Sequence, residues 1–187
     1  GGLVVYARPG TVLGEDRRIG HVEIRGVASA GMLCSEAEMG IGPDEDGILV
    51  LDGDVRVGSA LRDLDDFEDD LLEFTITPNR PDCLGHLGLA REVAAVMGMD
   101  FERPGSSPRM DLLDEKVTDL ASVRIEDPSG CPRYAAAVVQ GVTISPSPLW
   151  LRNRLHVLGV RPISNIVDVT NWILLYDNQP LHAFDMR

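Results

Sequence analysis

Lysine is all but missing from this chain: sixteen arginines and the single Lys116 supply its basic side chains. Positive charge as a whole is scarce, and the net charge is −13 over 187 residues. The deficit is uneven: −5 over residues 1–60, −7 over 61–104 and −1 over 105–187. Acidic surfaces repel phosphate backbones, so composition argues against an autonomous nucleic-acid binder. Cysteine is sparse too. Cys34, Cys83 and Cys131 are an odd, scattered set that fits neither a disulfide framework nor a zinc site. They point to a reducing cytoplasm, each thiol reading as a small buried hydrophobe. No run approaches the ~18 apolar residues of a membrane span, and nothing resembles a signal peptide. A phosphate-cradling glycine motif, a zinc pattern and a serine nucleophile elbow are all missing, so nothing here looks like an ATP site.

What is present suffices for real cores, since 44% of the residues are hydrophobic. The chain opens at GGLVVYARPG without an initiator Met and stops at HAFDMR. Both ends read as cut, which is what an internal piece of a longer polypeptide would show. LVVYA (3–7), HVEIR (21–25) and ILVL (48–51) are strand-like, with turn residues from Pro9 to Gly20 between the first two. Ser35 and Glu38 have capping-box spacing around one helical turn. Short strands with such punctuation predict part of a small β-barrel.

The acidic run DLDDFEDDLLEF (63–74) reads as a solvated loop face without calcium-loop spacing. It leads into LLEFTI, where Leu72, Phe74 and Ile76 alternate as on a half-buried strand. Beyond Pro78 and Pro81, Asp82 is placed to cap a helix running to Met97. Leu84, Leu87, Ala90, Val93, Ala94 and Met97 form its stripe, and Gly98 ends it. ERPGSSPRMDLLDEKVTDL (102–120) holds the best linker, placed at 105–120. SVRIED (122–127) and YAAAVVQ (134–140) read as strands. Ser147 and Pro148 then open a helix carrying Leu151, Leu155 and Leu158 and ending at Gly159.

The last quarter, RPISNIVDVTNWILLYDNQPLHAFD (161–185), sets Arg161, Asp168, Thr170, Asn171 and His182 in an otherwise apolar stretch. Its β-branched residues favour a strand, but Ile166, Val169, Ile173 and Tyr176 recur at helical steps of three and four. Spacing decides for a helix over 165–176, with Asn178 as a left-handed terminator. Asp168, Asn171 and Leu175 would then project from a different face.

Three segments together resemble the β subunit of bacterial phenylalanine–tRNA ligase. RGVASAGMLCSEAEMGIG (25–42) resembles the end of its tRNA-binding OB-fold domain. FTITPNRPDCLGHLGLAREVAAVMG (74–98), with TPNRPD and GLARE in order, resembles the next segment. CPRYAAAVVQGV (131–142), SPLWLRNRL (147–155) and VDVTN followed by QPLHAFD resemble the start of its editing domain. The resemblance implies an α+β chain. A partial OB-type barrel would occupy 1–60 and a small α+β segment 61–104. The linker would follow at 105–120, and the start of a mixed α/β editing domain at 121–187.

The same resemblance implies a cytoplasmic α2β2 enzyme that charges tRNA(Phe) with phenylalanine using ATP and magnesium. Its partners are the α subunit, which holds the aminoacylation site, and tRNA(Phe). No aminoacylation residue, metal ligand or cofactor is expected within these 187 residues. The family's second activity hydrolyses tyrosine wrongly attached to the tRNA, since an apolar pocket rejects one extra hydroxyl only about a hundredfold. Carried over residue by residue, that editing pocket would include Arg161, Thr170, Asn171 and His182. Thr170 and Asn171 would hold the terminal ribose hydroxyls or a hydrolytic water. Orientation of the terminal adenosine is favoured for His182 over a role as base, and Arg161 would pair with a tRNA phosphate.

Plainer roles stand beside these. Asn171 would cap backbone groups near a turn, His182 would be a satisfied histidine, and Arg161 would bridge to Asp168. Trp172 replaces the family's usual Tyr. YDNQP (176–180) departs from its usual Glu and Gly before QP, and the acidic residue that reads the tyrosine hydroxyl has no counterpart before residue 187. A stand-alone tRNA-binding module and a free-standing aminoacyl-tRNA deacylase are the alternative readings.

Overall fold

Strands of two or three residues, separated by glycine and polar turns, each pair with a single neighbour. That is what the computed structural model shows over the described residues 2–14, 16–51, 55–64, 67–105 and 114–186. Strand β1 (Leu3–Val4) pairs antiparallel with β8 (Val50–Leu51), and β2 (Tyr6–Ala7) with β7 (Met32–Leu33). The hairpins β3 (Val12–Leu13) with β4 (Arg17–Arg18) and β5 (Val22–Ile24) with β6 (Val27–Ser29) complete four two-stranded sheets. Among the described residues they form no closed barrel. The Pro9–Gly20 stretch, read from sequence as turn alone, contains the β3–β4 hairpin. Leu13 is buried there beside Ala7, Ile19 and Cys34, and that burial is what holds the extra strand.

Helix α1 (Glu36–Met39) has the reciprocal capping box that Ser35 and Glu38 predict. The chain folds as two compact units, one of residues 1–101 with 145–187, the other of residues 102–144. In the first unit, Leu149 packs into a core with Ile41 and Leu49.

The segment after the acidic run departs from expectation. LLEFTI forms no strand, because no ladder partner lies beside it among the described residues; Leu72 and Phe74 stay exposed. Asp82 does not cap the following helix. It sits in a 3-10 turn, Pro81–Leu84, and helix α2 (His86–Met97) begins at Gly85. The turn folds back so tightly that a Cβ on Gly88 would lie 1.7 Å from the Asp82 carbonyl oxygen. Of the anticipated stripe only Leu87 is buried, while Leu84, Val93 and Met97 are exposed. Gly98 ends the helix in the left-handed region, as predicted.

The second unit contains α3 (Val117–Leu120). SVRIED and YAAAVVQ form no strands in it, again without a ladder partner among the described residues. Asp127 instead closes a turn, accepting from the Ser129 hydroxyl at 2.5 Å and from the Ser129 and Gly130 amides. Those donors hold its carboxyl below the usual range, the Ser129 hydroxyl first. Much of the anticipated linker, 106–113, lies outside the described residues. Cys34 and Cys83 are buried as expected and Cys131 only half-buried; all three are free thiols.

Back in the first unit, α4 (Leu149–Val157) starts after Pro148, and Leu151 and Leu155 are buried on its inner face. Ser147 does not cap it; its hydroxyl is engaged elsewhere, as described below. The ambiguous segment is helical: α5 spans Asn165–Asp177 and ends at Asn178 with φ 58°.

Arg80 links the TPNRPD turn to α2. Its guanidinium donates to Asp82 at 2.9 and 3.0 Å and to Glu92 at 2.7 Å. Arg80 holds the Asp82 carboxyl down to about 2 and lowers that of Glu92 as well. A depressed folded-state pKa stabilises above the unfolded value and is lost as pH falls through the folded one. Melting temperature should therefore drop on acidification from about pH 4 to about 2, with Arg80→Gln flattening the drop in that window. All three groups are substantially exposed, so added salt should shrink the difference. A pH profile unchanged by Arg80→Gln would refute the linkage.

Candidate functional site

The polar residues of the last quarter are organised by helix α5, and each end of that helix is fixed by a different device. Near its start, Asp168 is fully buried. Burying a carboxylate costs several kcal/mol unless donors surround it. Here the Ser147 hydroxyl donates to Oδ2 at 2.5 Å and the Ile163 amide to Oδ1 at 2.8 Å. The Ser147 carbonyl in turn accepts from Arg152 Nε at 2.9 Å. Arg152 also forms a largely buried ion pair with Glu36 of α1. A continuous polar chain thus runs from α1 through the start of α4 to the first turns of α5.

This chain corrects the expected orientation of α5. Ile166 and Ile173 are half-buried and Val169 is exposed, whereas the wholly buried position is Asp168. The alternative bridge from Arg161 to Asp168 does not form, because Ser147 and Ile163 take the carboxylate. A cleft beside the polar chain is lined by Pro43, Ser147, Arg152, Pro162, Ile163 and Asp168 among others. Its buried side-chain polar atoms are hydrogen-bonded, as are all such atoms among the described residues.

The far end of α5 docks on the start of α2. His86 Nδ1–H donates to the Leu175 carbonyl at 2.8 Å, since a carbonyl oxygen can only accept. Asn178 Nδ2 donates to the Pro81 carbonyl at 2.8 Å. Only a glycine permits this approach: a Cβ on Gly85 would lie 2.9 Å from both the backbone nitrogen and the Cβ of Asn178. Trp172 and Tyr176 stack at 5.5 Å, with His86 6.2 Å from Tyr176. Trp150 of α4 meets Trp172 edge-on at 6.1 Å, and Arg154 lies over both indoles. Ring pairs of this kind add about 0.5–1.5 kcal/mol each beyond the area they bury.

Thr170 and Asn171 ride on the helix between these anchors, both half-buried. The Thr170 hydroxyl donates to the Val167 carbonyl at 2.7 Å, leaving its lone pairs as acceptors. Arg161 is exposed four residues before α5 begins, and His182 is exposed five residues after it ends. Only Thr170 and Asn171 are neighbours. Thirteen residues of helix, about 20 Å, separate the points from which Arg161 and His182 depart. Neither the cleft above nor one along α2 is lined by any of the four. Among the described residues no three His, Cys, Asp or Glu side chains gather as a metal site. No described helix is long and apolar enough to cross a membrane.

Sequence reasoning passed over His86, Arg152 and Glu36. His86 stands in GHLGLARE and Arg152 in SPLWLRNRL, both inside segments that carry the family resemblance. Their partners are 89 and 116 residues away, and no local pattern announces such pairs.

Comparison with known proteins decides the relationship. A profile of the B3/4 domain matches residues 130–187. The phenylalanine–tRNA ligase β subunit of Anaeromyxobacter dehalogenans is 46% identical over 186 residues, all of this chain and 23% of that protein. The chain is homologous throughout to phenylalanine–tRNA ligase β subunits. That of Geobacter sulfurreducens is 45% identical over 99% of the chain, and that of Fusobacterium nucleatum 42% over 98%. The chain spans about a quarter of the length of these relatives, 23% in each case.

The buried carboxylate gives a direct test of what fixes α5. Asp168→Ala leaves the buried Ser147 hydroxyl and the part-buried Ile163 amide without that acceptor. It should destabilise the chain by about 2–4 kcal/mol in urea unfolding, by loss of two hydrogen bonds and the cost of one buried, unpartnered donor. A loss below about 0.5 kcal/mol, the range of ordinary surface substitutions, would show that the polar chain does not hold the helix.

Proposed function

We propose that this chain works as part of a phenylalanine–tRNA ligase β subunit. It would contribute tRNA contacts and one wall of the site that hydrolyses tyrosyl-tRNA(Phe). The observation that carries the reading is homology along the whole chain to β subunits of that ligase. In this reading residues 1–60 belong to an OB-type tRNA-binding domain, 61–104 to a small α+β segment, 105–120 to a linker and 121–187 to an editing domain. The partners are an α subunit, in an α2β2 assembly, and tRNA(Phe) in the cytoplasm. ATP and magnesium act in the aminoacylation step, outside these residues.

The chemistry assigned to α5 is positional. Ester hydrolysis needs a placed water and donors near the developing oxyanion. Asn171 offers both an amide donor and a carbonyl acceptor, and Thr170 offers acceptor lone pairs from a hydroxyl already anchored to the helix. A helix fixed at both ends supports such groups better than a loop, because sub-ångström placement governs the rate. His182 is exposed, and no carboxylate or carbonyl in the described structure fixes its tautomer. That favours a contact with the terminal adenosine over general-base catalysis. Arg161, also exposed, is assigned to a phosphate of the same tRNA end.

Two outcomes test the proposal. The 187-residue chain alone should neither charge tRNA(Phe) with phenylalanine nor clear tyrosyl-tRNA(Phe) in single-turnover assays; efficient clearance by the isolated chain would overturn the partial-wall account. In the complete ligase, His182→Ala should raise tyrosine mischarging and leave phenylalanine charging near wild type. An equal fall in both activities would make His182 a structural residue.

A further inference from the structure

Arg152 joins two distant stretches of the chain. Its guanidinium donates through Nε to the Ser147 carbonyl and through Nη1 to Glu36 of α1, 116 residues away. The two side chains are only 21% and 10% exposed, so salt competes weakly for the pair. Buried Gly42 keeps room for it. The three nearest atoms that a Cβ on Gly42 would meet all belong to the Glu36 side chain, with Oε2 at 2.5 Å.

What the pair holds is the seat of Asp168. Ser147 is gripped at its carbonyl by Arg152 and delivers its hydroxyl to Asp168 Oδ2 at 2.5 Å. Asp168 precedes Thr170 and Asn171 on the same helix, by two and three residues. A helix turns as a body, so a shift in that seat passes to both. Side-chain atoms lie about 5 Å from a helix axis, and a rotation of about 10° carries them about 0.9 Å. Catalytic groups tolerate about 0.5 Å of misplacement, and about 1 Å can cost a hundredfold in rate.

On the reading of α5 as a wall of the tyrosine-clearing site, we infer that Arg152 and Glu36 are positioning residues for that hydrolysis. Acting through Ser147 and Asp168, the pair fixes the rotation of α5 at which Thr170 and Asn171 meet the ester. The wall is thereby set from α1, in the residues assigned to the tRNA-binding domain. Stability alone does not explain such a pair, because apolar side chains of similar volume often serve a buried position as well or better. A planar guanidinium shared between a carboxylate and a backbone carbonyl fixes direction, which an apolar contact does not.

The test uses the complete ligase and single-turnover clearance of tyrosyl-tRNA(Phe) over a range of enzyme concentrations. Arg152→Lys keeps the charge opposite Glu36 but loses the planar fork that also serves the Ser147 carbonyl. It should lower the maximal clearance rate about ten- to a hundredfold, with the half-saturating concentration within about twofold of wild type and phenylalanine charging unchanged. Gly42→Ala displaces the Glu36 carboxylate, leaves Arg152 in the sequence and should give the same split. Asp168→Asn acts on the same chain of bonds, so combining it with Arg152→Lys should cost no more than about twofold beyond the larger single loss. Wild-type clearance by Arg152→Lys or by Gly42→Ala, a rise in half-saturating concentration alone, multiplied losses in the double variant, or a parallel fall in phenylalanine charging would each overturn the inference. A Thr170→Ala, Asn171→Ala ligase separates the two levels. Normal clearance by it would remove α5 from the site altogether, whereas defective clearance beside intact Arg152→Lys and Gly42→Ala enzymes would remove the positioning role alone.

Discussion

A buried carboxylate must be answered, and how Asp168 is answered organises the first unit. It is inaccessible to water, and its two oxygens meet a hydroxyl and an amide from the residues just ahead of α4 and α5. Because Ser147 supplies both that hydroxyl and the carbonyl that steadies Arg152, the position of Asp168 is linked to the Glu36–Arg152 pair. Apolar packing holds α5 only loosely, since Ile166 and Ile173 are half-buried and Val169 is exposed. A fully satisfied polar chain admits one rotation. Its role here is orientation as much as stability, since replacing such networks with hydrophobes is often neutral.

Rotation at the start of α5 would achieve little if its end were loose. There the constraint is close approach: Gly85 lets the end of α5 sit against the backbone that opens α2, and His86 and Asn178 each satisfy a carbonyl across the contact. Trp150, Trp172 and Tyr176 fill the space between the three helices, with Arg154 over the indole faces. Thr170 and Asn171 thus occupy a segment whose rotation is set at one end and whose docking is set at the other. Trp172 is the ring common to these contacts, meeting Trp150 edge-on and Tyr176 face to face.

Legibility in the sequence followed the range of the interaction that decides each element. The capping box at Ser35, the left-handed residues Gly98 and Asn178 and the helical period of 165–176 depend on residues within four positions, and all are readable. LLEFTI, SVRIED and YAAAVVQ have strand character, but a strand needs a partner, and sequence pattern carries no information about whether one is present. Ser147 and Asp82 looked like caps for the same reason in reverse. Each has a capping residue's chemistry, and each is claimed by a stronger charged partner, Asp168 for one and Arg80 for the other. At the candidate site, the identities of Thr170, Asn171 and His182 came from resemblance, and periodicity put the first two on a helix. That the buried side of this helix would be its aspartate was not legible, because the donor lies 21 residues away.

Charge bears on how such a chain could meet RNA. In the described residues from 145 onward, Arg152, Arg154 and Arg161 stand against Asp168, Asp177 and Asp185. Arg152 is committed to Glu36 and Arg154 lies over indole rings, so Arg161 is the exposed arginine of this region without such an engagement. One cation cannot generate the steep, salt-dependent attraction by which proteins gather nucleic acid. If α5 meets a tRNA end, that end must be delivered by contacts made elsewhere in the assembly. Recognition on this helix would then be short-range, by hydrogen bonds from Asn171 and Thr170. A pocket of that kind discriminates by geometry, and geometry is what the anchoring at Asp168 and Gly85 provides.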